Sequence, residues 1–468
     1  MHSLSLDKLA VLINGRILVR APISKIPFSI SRFNTVMFQS IVFWDKPFRH
    51  ESAFQNQLKN LDVRCLVIKS SSNINANKWK SAGIAVIEVT RPKSAYRDLA
   101  LFYRKQYSIP FIQVIGSSGK TTTTEMIGSV LSENFPVLST IANTNSPVGV
   151  AYNLFHLNKT HRAVVLEAGM KAPGIMRITS SLIRANIGVV TSIHSAHLLR
   201  LGSIHKIISA KAELLEFLSQ SGTLIINWDD PNCHKFPLHR YKGRILRYGF
   251  SDTCDLWASD IHRQGYCTNF VVHTSEFEFP CTINIIGKYN VGNALAAVAV
   301  GLKMRMSPAE ITQGLERFKP RDGRLKVHPT SNGAVIIDDN FNANPDSTRM
   351  LVDELIAMAL EQPVVLVIGD MERPSPAIAK YARRVHFKVG RQLAQGNFQH
   401  VLAIGQWASE YVRGAIQAGF PQEKLSYYSK VPAAQNEFNH LLTPGTTVVL
   451  KASPYTDLTY LRINSAVI

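Results

Sequence analysis

The stretch GSSGKTTT, residues 116–123, lies between the apolar run FIQVI and a helical pattern. Small residues in such a loop let backbone N–H groups approach phosphate oxygens, and the following helix N-terminus adds a positive dipole end. The lysine can bridge phosphates, and the next hydroxyl can ligate Mg²⁺. The common loop, G-x-x-x-x-G-K-[ST], is two residues longer, and an ordinary glycine turn is the alternative. The pattern predicts a nucleotide-binding loop made of Gly116, Ser117, Ser118, Gly119, Lys120, Thr121 and Thr122.

Polar residues at the ends of other apolar runs are further candidates. Glu167 follows VVL, at the carboxyl end of a predicted strand, where open α/β sheets bind ligands and where a carboxylate can hold Mg²⁺. His197 follows the run IGVVTSI, and Lys211 lies in a largely apolar helical pattern. By residue type alone, Glu167 is equally compatible with a solvated loop, His197 with a structural role, and Lys211 with an extended surface side chain.

A third group of polar residues follows the predicted strand VIIDD. Asp339 at its end can accept hydrogen bonds from ribose hydroxyls. Asn342 and Asn344 lie in the loop that leads to the next helix. The alternative for this group is turn and helix-cap chemistry.

The order of apolar runs predicts an α/β chain of three units. Residues 1–106 indicate a mixed unit, residues 107–320 alternate strands and helices typical of a mostly parallel sheet, and residues 321–468 indicate a second doubly wound sheet. In the third unit the predicted strands are GAVIIDDN, PVVLVIGD, HVLAIG and TTVVLKAS. Parallel strands place their carboxyl ends at one edge of a sheet, so this order can bring the candidate residues together.

Composition limits the classes of function. The 468 residues include 52 Lys and Arg against 33 Asp and Glu, a net charge of +19 that favours an anionic partner. The basic residues are scattered and no nucleic-acid motif occurs, so we expect no nucleic-acid partner. Five widely spaced cysteines without C-x-x-C predict neither disulfides nor zinc, and no apolar run or leader predicts a membrane span or a signal peptide. We expect a cytoplasmic protein.

Taken in order, these stretches resemble the Mur ligase family, the ATP-dependent amide ligases of peptidoglycan precursor synthesis. GSSGKTTT is similar to the family loop G-[ST]-x-G-K-[ST], and the resemblance extends over about residues 111–460. It is strongest with the branch that adds D-alanyl-D-alanine to UDP-N-acetylmuramoyl-tripeptide. Further matching stretches are NTNSPVGVAYNL, VVLEAGMKAPGIM, SAKAELLEFL, GKYNVGNALAAVAV, DGRLKV and IIDDNFNANPDST.

The resemblance implies a three-domain Mur ligase architecture. Residues 1–106 would be an N-terminal UDP-sugar-like substrate domain, residues 107–320 a central P-loop-type ATPase domain, and residues 321–468 a Rossmann-like domain. The reaction would join a carboxylate to an amino acid or dipeptide amine through an acyl phosphate, with release of ADP. We expect an anionic small-molecule acyl donor and a monomeric enzyme.

The resemblance also implies the roles of individual residues. ATP and two Mg²⁺ ions are the expected cofactors, with Thr121 and Glu167 at one ion and His197 and Lys211 at the other. Lys211 would be carbamylated by CO₂. Lys120, His197, Lys211 and Arg324 would be catalytic, Asn290 would contact adenine, and Arg324 and Asp339 would face the γ-phosphate and the ribose. The expected substrate-side residues are Ser31, Arg32, Asn143, Asn145, Asn342, Asn344 and Lys451.

Departures from the family pattern are concentrated on the substrate side. The aspartate of a D-S-R segment is Ile30 here, the tyrosine of D-S-Y-N-A-N-P is Phe341, and the arginine of V-K-G-S-R is Pro454. Three hypotheses follow: the D-alanyl-D-alanine-adding enzyme, a paralogue that joins a different carboxylate and amine, and an ATP-binding pseudo-enzyme that acts as a scaffold. The retained phosphate-loop and metal-site residues argue against the third.

Overall fold

The computed structural model describes residues 3–21, 25–38, 40–72, 74–194, 198–357, 362–371, 375–463 and 465. Within them, three main sheets follow one another along the chain, and each combines parallel strands with at least one antiparallel strand. The domain boundaries that the sequence predicts, between residues 106 and 107 and between residues 320 and 321, stay predictions. In the described part of the chain no helix is long and apolar enough to span a bilayer. All five cysteines are free thiols.

The first sheet has the strand order β2-β6-β5-β4. Its β-branched runs CLVIK and AVIEV form the buried parallel strands, and β2 pairs antiparallel with β6 at one edge. A two-stranded pair, β1 and β3, lies outside this sheet. The elements are β1 (Ser3–Leu4), α1 (Leu6–Leu12), β2 (Arg16–Val19), β3 (Ile26–Pro27), β4 (Ile41–Trp44), α2 (Glu51–Asn60), β5 (Cys65–Lys69), α3 (Ala76–Ser81), β6 (Ala85–Val89) and α4 (Pro92–Arg104).

The second sheet has nine strands in the order β15-β14-β13-β12-β11-β10-β7-β9-β8. The neighbours from β8 to β12 pair in parallel, as the sequence predicts, and their residues are mostly buried. The elements are β7 (Phe111–Ile115), α5 (Lys120–Leu131), β8 (Val137–Ser139), α6 (Pro147–Leu154), β9 (Ala163–Glu167), α7 (Ile175–Ile183), β10 (Ile187–Val190), α8 (Leu198–Leu201), α9 (Ile204–Ala212), β11 (Thr223–Asn227), β12 (Arg244–Gly249), β13 (Leu256–Gln264), β14 (Cys267–His273), β15 (Glu278–Ile283), α10 (Lys288–Lys303) and α11 (Pro308–Arg317).

The strands β13, β14 and β15 form an antiparallel extension that the sequence analysis does not identify. Burial alternates from residue to residue along β14, because one face of this extension packs inward and the other is more accessible. Strands in which apolar and polar residues alternate are harder to recognise in a sequence than continuous apolar runs. For this reason the sequence analysis does not identify β13, β14 and β15. The extension forms the edge of the sheet opposite β8, and β10, β11 and β12 separate it from β7.

The third sheet has the order β16-β17-β21-β18-β19-β20, and β16 is its antiparallel strand. The four predicted apolar strands are β17, β18, β19 and β21. Because β21 lies between β17 and β18, their carboxyl ends form a switch point of the kind that binds ligands. The elements are β16 (Lys326–Pro329), β17 (Val335–Asp339), α12 (Pro345–Ala357), β18 (Val364–Gly369), α13 (Ala379–Leu393), β19 (His400–Ile404), α14 (Ser409–Gln417), β20 (Leu425–Tyr428), α15 (Gln435–Leu441), β21 (Thr447–Lys451) and α16 (Thr459–Ile463).

Candidate nucleotide-binding site

The predicted phosphate loop connects β7 to α5 as a tightly packed turn. Gly119 precedes α5 with a left-handed φ of +79°. A Cβ atom on Gly116 would lie 2.0 Å from the Thr191 hydroxyl oxygen, and one on Gly119 would lie 2.4 Å from Asn293 Oδ1. Both positions therefore require glycine, which explains the spacing that defines the loop.

The chain segment after β10 braces this loop. The Ser117 amide donates to the Ser192 carbonyl at 2.8 Å, and the Ser118 amide donates to the Ser192 hydroxyl at 3.0 Å. Thr191 Oγ1 donates back to the Ser118 carbonyl at 2.5 Å. These two serine amides are thus engaged within the protein. The amides of the first turn of α5, which have no partner inside the helix, are the groups left to face a phosphate.

Thr121 and Glu167 meet at the entrance to α5. The Thr121 hydroxyl donates to Glu167 Oε2 at 2.8 Å, and Asn145 Nδ2 donates to Glu167 Oε1 at 2.8 Å. The Glu167 amide donates to Thr140 Oγ1 at 2.7 Å, so both the backbone and the side chain of this residue are fixed. Asn145, expected on the substrate side, contacts the candidate metal ligand.

The oxygen donors at this point fit Mg²⁺. Mg²⁺ is held in nucleotide sites by one or two protein oxygens together with phosphate oxygens and water. Thr121 and Glu167 supply a hydroxyl and a carboxylate of that kind. Among the described residues, no group of three His, Cys, Asp or Glu side chains forms a metal site by itself. An ion here would therefore depend on the nucleotide for its remaining ligands.

Lys120 lies over the same loop. Its Nζ donates to the Ser117 carbonyl at 3.2 Å. Burial lowers the pKa of Lys120, the nearby Glu167 carboxylate opposes that shift, and the Arg324 guanidinium adds to it. The site therefore concentrates positive charge that a bound polyphosphate would neutralise.

Lys211, on α9, is only 2% exposed. Burial is the main reason that its pKa falls to about 7, and the charge of Lys120 lowers it further, while Cys233 and Asp230 act in the opposite direction. Much of the Lys211 amine is therefore neutral near pH 7, the form that can react with CO₂. His197 lies outside the described residues.

Arg324 lies just before β16 of the third sheet and contacts α5, the helix that follows the phosphate loop. Its Nη2 donates to Thr121 Oγ1 at 3.4 Å, and its guanidinium carbon lies 4.4 Å from the centre of the Phe341 ring. The Phe341 amide donates to the Gly323 carbonyl at 3.2 Å, and Gly323 has a φ of +73°. Beside this contact, Arg321 forms an ion pair with Glu125 on α5. Sequence analysis missed the contribution of Phe341, although its aromatic ring within IIDDNFNANP was a signal.

Replacement of Phe341 by leucine is expected to lower turnover about tenfold, because a partly buried cation–π contact contributes roughly 1–2 kcal/mol to the position of Arg324. Phe341→Tyr retains the ring and serves as the matched control. The measurement is ADP formation at varied ATP concentration. Equal kcat values for Phe341→Leu and Phe341→Tyr would contradict a positioning role for the ring.

Asn290 belongs to a hydrogen-bond chain behind the loop. Its Nδ2 donates to the Ile286 carbonyl at 2.7 Å, and its Oδ1 accepts from Asn293 Nδ2 at 3.0 Å. Asn293 Oδ1 in turn accepts from the Thr123 hydroxyl at 3.0 Å. The chain ties α10 to α5, and both ends of the Asn290 amide have internal partners. Its contact with adenine stays a prediction. Asn293, three residues along the same helix, was not identified from the sequence.

The remaining candidates of the third unit lie near the switch point. Lys451 Nζ and Asp339 Oδ2 form a buried ion pair at 2.5 Å. Asn344 caps α12, because its Oδ1 accepts from the Ser347 amide at 2.9 Å, and Asn342 is exposed. Asn344 therefore has the helix-capping role that the sequence analysis gave as the alternative for this group. The ribose and substrate roles of these residues stay predictions.

The first-unit candidates have different environments. Ser31 is fully buried, and its hydroxyl donates to the Ile41 carbonyl at 3.3 Å. Arg32 is exposed, and so is Asn143 in the central unit. Ser31 thus has a structural contact along β4, whereas Arg32 and Asn143 are accessible to a ligand. Their substrate roles also stay predictions.

Comparison with protein families matches the middle and C-terminal parts of the chain. Residues 114–301 match the Mur ligase middle domain, and residues 323–454 match the Mur ligase glutamate ligase domain. The two matches together cover more than half of the chain and include the phosphate loop, Glu167 and Arg324. The chain belongs to the Mur ligase family. A Mur ligase is an ADP-forming carboxylate–amine ligase.

Individual relatives agree with this assignment. The chain is 29% identical to the UDP-N-acetylmuramoyl-tripeptide–D-alanyl-D-alanine ligase of Bacillus subtilis, over 79% of this chain and 78% of the relative. It is 28% identical to the Escherichia coli enzyme of the same name, over 71% and 75%. A crystal structure of MurF from Acinetobacter baumannii superposes with a TM-score of 0.86 at 26% identity and covers 99% of both chains. The expected three-domain Mur ligase architecture is confirmed.

Proposed function

We propose that this Mur ligase joins D-alanyl-D-alanine to UDP-N-acetylmuramoyl-tripeptide with hydrolysis of ATP to ADP. The observation that supports this most directly is the contact of Thr121 with Glu167 beside Lys120, with Arg324 reaching the same hydroxyl. This arrangement suits a nucleotide triphosphate whose γ-phosphate is transferred. The Bacillus subtilis and Escherichia coli relatives are named as ligases of these two substrates, which supports the choice.

The chain's residues would act mainly by positioning and by charge neutralisation. The substrate carboxylate attacks the γ-phosphate, the bond to ADP breaks, and an acyl phosphate forms. The amine then attacks the acyl carbon, and the tetrahedral species releases phosphate and leaves the amide. Lys120 and Arg324 would stabilise charge that develops on the transferred group. Bound Mg²⁺ would supply further neutralisation at Thr121 and Glu167.

A second Mg²⁺ would be held by His197 and by a carbamylated Lys211. Carbamylation turns a cation into a carboxylate-like oxygen ligand, and the buried Lys211 amine with a pKa near 7 is suited to that reaction. This also offers a reason for a buried lysine beside a second cation, since the carbamate would attract Lys120 rather than repel it.

The alternative is a paralogue that joins another carboxylate and amine by the same chemistry. It is favoured by the departures from the family pattern at Ile30 and Pro454 and by the burial of Ser31 in the fold of the first unit. An ATP-binding scaffold without activity is the third possibility. The closely arranged Lys120, Thr121, Glu167 and Lys211 argue against it.

The deciding experiment measures phosphate release from ATP and Mg²⁺ with both proposed substrates, and identifies the joined product by mass. We expect turnover only when the tripeptide nucleotide and D-alanyl-D-alanine are both present. Turnover with other carboxylate–amine pairs alone would establish the paralogue. Nucleotide binding with no turnover for any pair would establish the scaffold.

A further inference from the structure

One face of α13 is strongly basic and lies apart from the nucleotide site. The helix contains five Lys and Arg residues and no Asp or Glu, and all five basic side chains are exposed. With 3.6 residues per turn, positions i, i+3, i+4, i+8 and i+11 lie on one face over about 17 Å. We call this set the α13 stripe; its members are Lys380, Arg383, Arg384, Lys388 and Arg391.

The charges of the stripe are unpaired within the described part of the chain. Among the described residues, none of its five members forms an ion pair with Asp or Glu. The neighbouring cation on α14, Arg413, differs from the stripe in that it pairs with Glu410 at 2.7 Å. Five like charges on one helix repel one another and raise the electrostatic free energy of the folded protein. An anionic partner bound to this face would lower it.

Three arginines of this surface lie over aromatic rings. The guanidinium of Arg383 is 5.6 Å from the Trp407 ring, that of Arg384 is 5.9 Å from the Tyr381 ring, and that of Arg413 is 5.0 Å from the Phe387 ring. A guanidinium held over a ring has less freedom to lose on binding, while its N–H groups at the edge can still donate to phosphate oxygens. The surface is therefore preorganised for anionic oxygens.

A groove with two apolar and two polar lining residues runs along the same surface between α13 and α14. It has a volume of about 480 Å³ and is lined by Phe387, Arg413, Ile416 and Gln417. Ile416 is 41% exposed, which is high for a large apolar side chain. A basic stripe beside an exposed apolar side chain matches surfaces that bind lipid headgroups and insert shallowly between them.

We propose that the α13–α14 surface binds anionic phospholipid headgroups and holds the enzyme at a membrane surface. The charge of the stripe complements lipid phosphates, and Ile416 would contact the boundary of the acyl chains. A single-stranded nucleic acid fits this surface less well, because such partners stack their bases on open aromatic rings. Here the rings of Trp407, Tyr381 and Phe387 each have an arginine over them.

The test measures co-sedimentation of the full chain with vesicles of phosphatidylglycerol and phosphatidylcholine in equal parts. The variant Lys380→Gln/Arg384→Gln/Lys388→Gln removes three charges from one side of α13. Each charge near an anionic surface changes affinity about fivefold, so we expect binding to weaken about 100-fold. Wild-type binding should also fall steeply between about 0.05 and 0.5 M salt. Phosphate release should stay unchanged, because these residues are not part of the nucleotide site.

The matched control removes three exposed charges elsewhere, Lys59→Gln/Lys78→Gln/Lys80→Gln, and lowers net charge equally. It should bind vesicles within a few-fold of wild type. The proposal is overturned if wild type does not sediment with the vesicles, or if both triple variants lose binding equally. It is also overturned if a single-stranded oligonucleotide binds wild type more tightly than the vesicles do at the same phosphate concentration.

Discussion

Replacement of Lys120 by alanine is expected to reduce ADP formation by about a thousandfold, to the background of the assay. Removal of one preorganised donor from a developing oxyanion costs about 10²–10³ in rate, and Lys120 also provides a full charge. The side chain is available for that role, since among the described residues its Nζ donates to the Ser117 carbonyl alone. The measurement is coupled detection of ADP with both proposed substrates present.

The same change should leave the fold intact. Lys120 is the first residue of α5, where alanine is well tolerated, and its burial near Arg324 disfavours the charged form. We therefore expect a melting temperature no lower than that of wild type. The matched control is Lys171→Ala, which removes an exposed cation after β9 and should retain full activity. Activity of Lys120→Ala within a few-fold of wild type would contradict the phosphate-loop assignment.

The parts of the site that the sequence predicts are those made by local structure. Gly116, Gly119, Lys120 and Thr121 lie within six residues, so the strand–loop–helix pattern specifies their arrangement. Glu167 was placed correctly at a strand end for a related reason, because parallel strands β7 and β9 are neighbours. In both cases, short apolar runs and the glycine spacing were sufficient to predict where these residues lie in the sheet.

The parts that the sequence does not predict depend on contacts between distant segments. The Asn145–Glu167 hydrogen bond, the stacking of Arg324 on Phe341 and the pairing of Lys451 with Asp339 require specific distances between elements. Residue type suggested that these groups were polar or aromatic site residues, but the choice of partner follows from sheet order. The position of β21 between β17 and β18, which brings Lys451 to Asp339, has no local signal.

The charges of the site explain why it needs ligands. Arg324 contributes to the lowered pKa of Lys120, and Lys211 is buried within the electrostatic reach of Lys120. Glu167 is the carboxylate in direct contact with Thr121. Lys120, Arg324 and the protonated fraction of Lys211 favour binding of polyphosphate and of a substrate carboxylate. A carbamate on Lys211 would reverse the sign of one of these groups.

Replacement of Lys211 by alanine is therefore expected to lower turnover at least about a hundredfold, because the second metal ion would lose an anionic oxygen ligand. Loss of the buried amine should not unfold the protein, since removal of an unfavourably buried cation relieves desolvation. The matched control is Lys206→Ala on the same helix, where the lysine is exposed and should be dispensable. Turnover of Lys211→Ala equal to that of Lys206→Ala would contradict the metal role.

Added formate or acetate is expected to restore part of the activity of Lys211→Ala, because a short carboxylate can occupy the space of the missing carbamate and present the same oxygens. Chloride at the same ionic strength is the control for non-specific anion effects. In wild type, incubation with ¹³C-labelled bicarbonate should give a carbamate signal that Lys211→Ala lacks. An inactive variant with no rescue, together with no carbamate signal in wild type, would show that Lys211 acts as an amine.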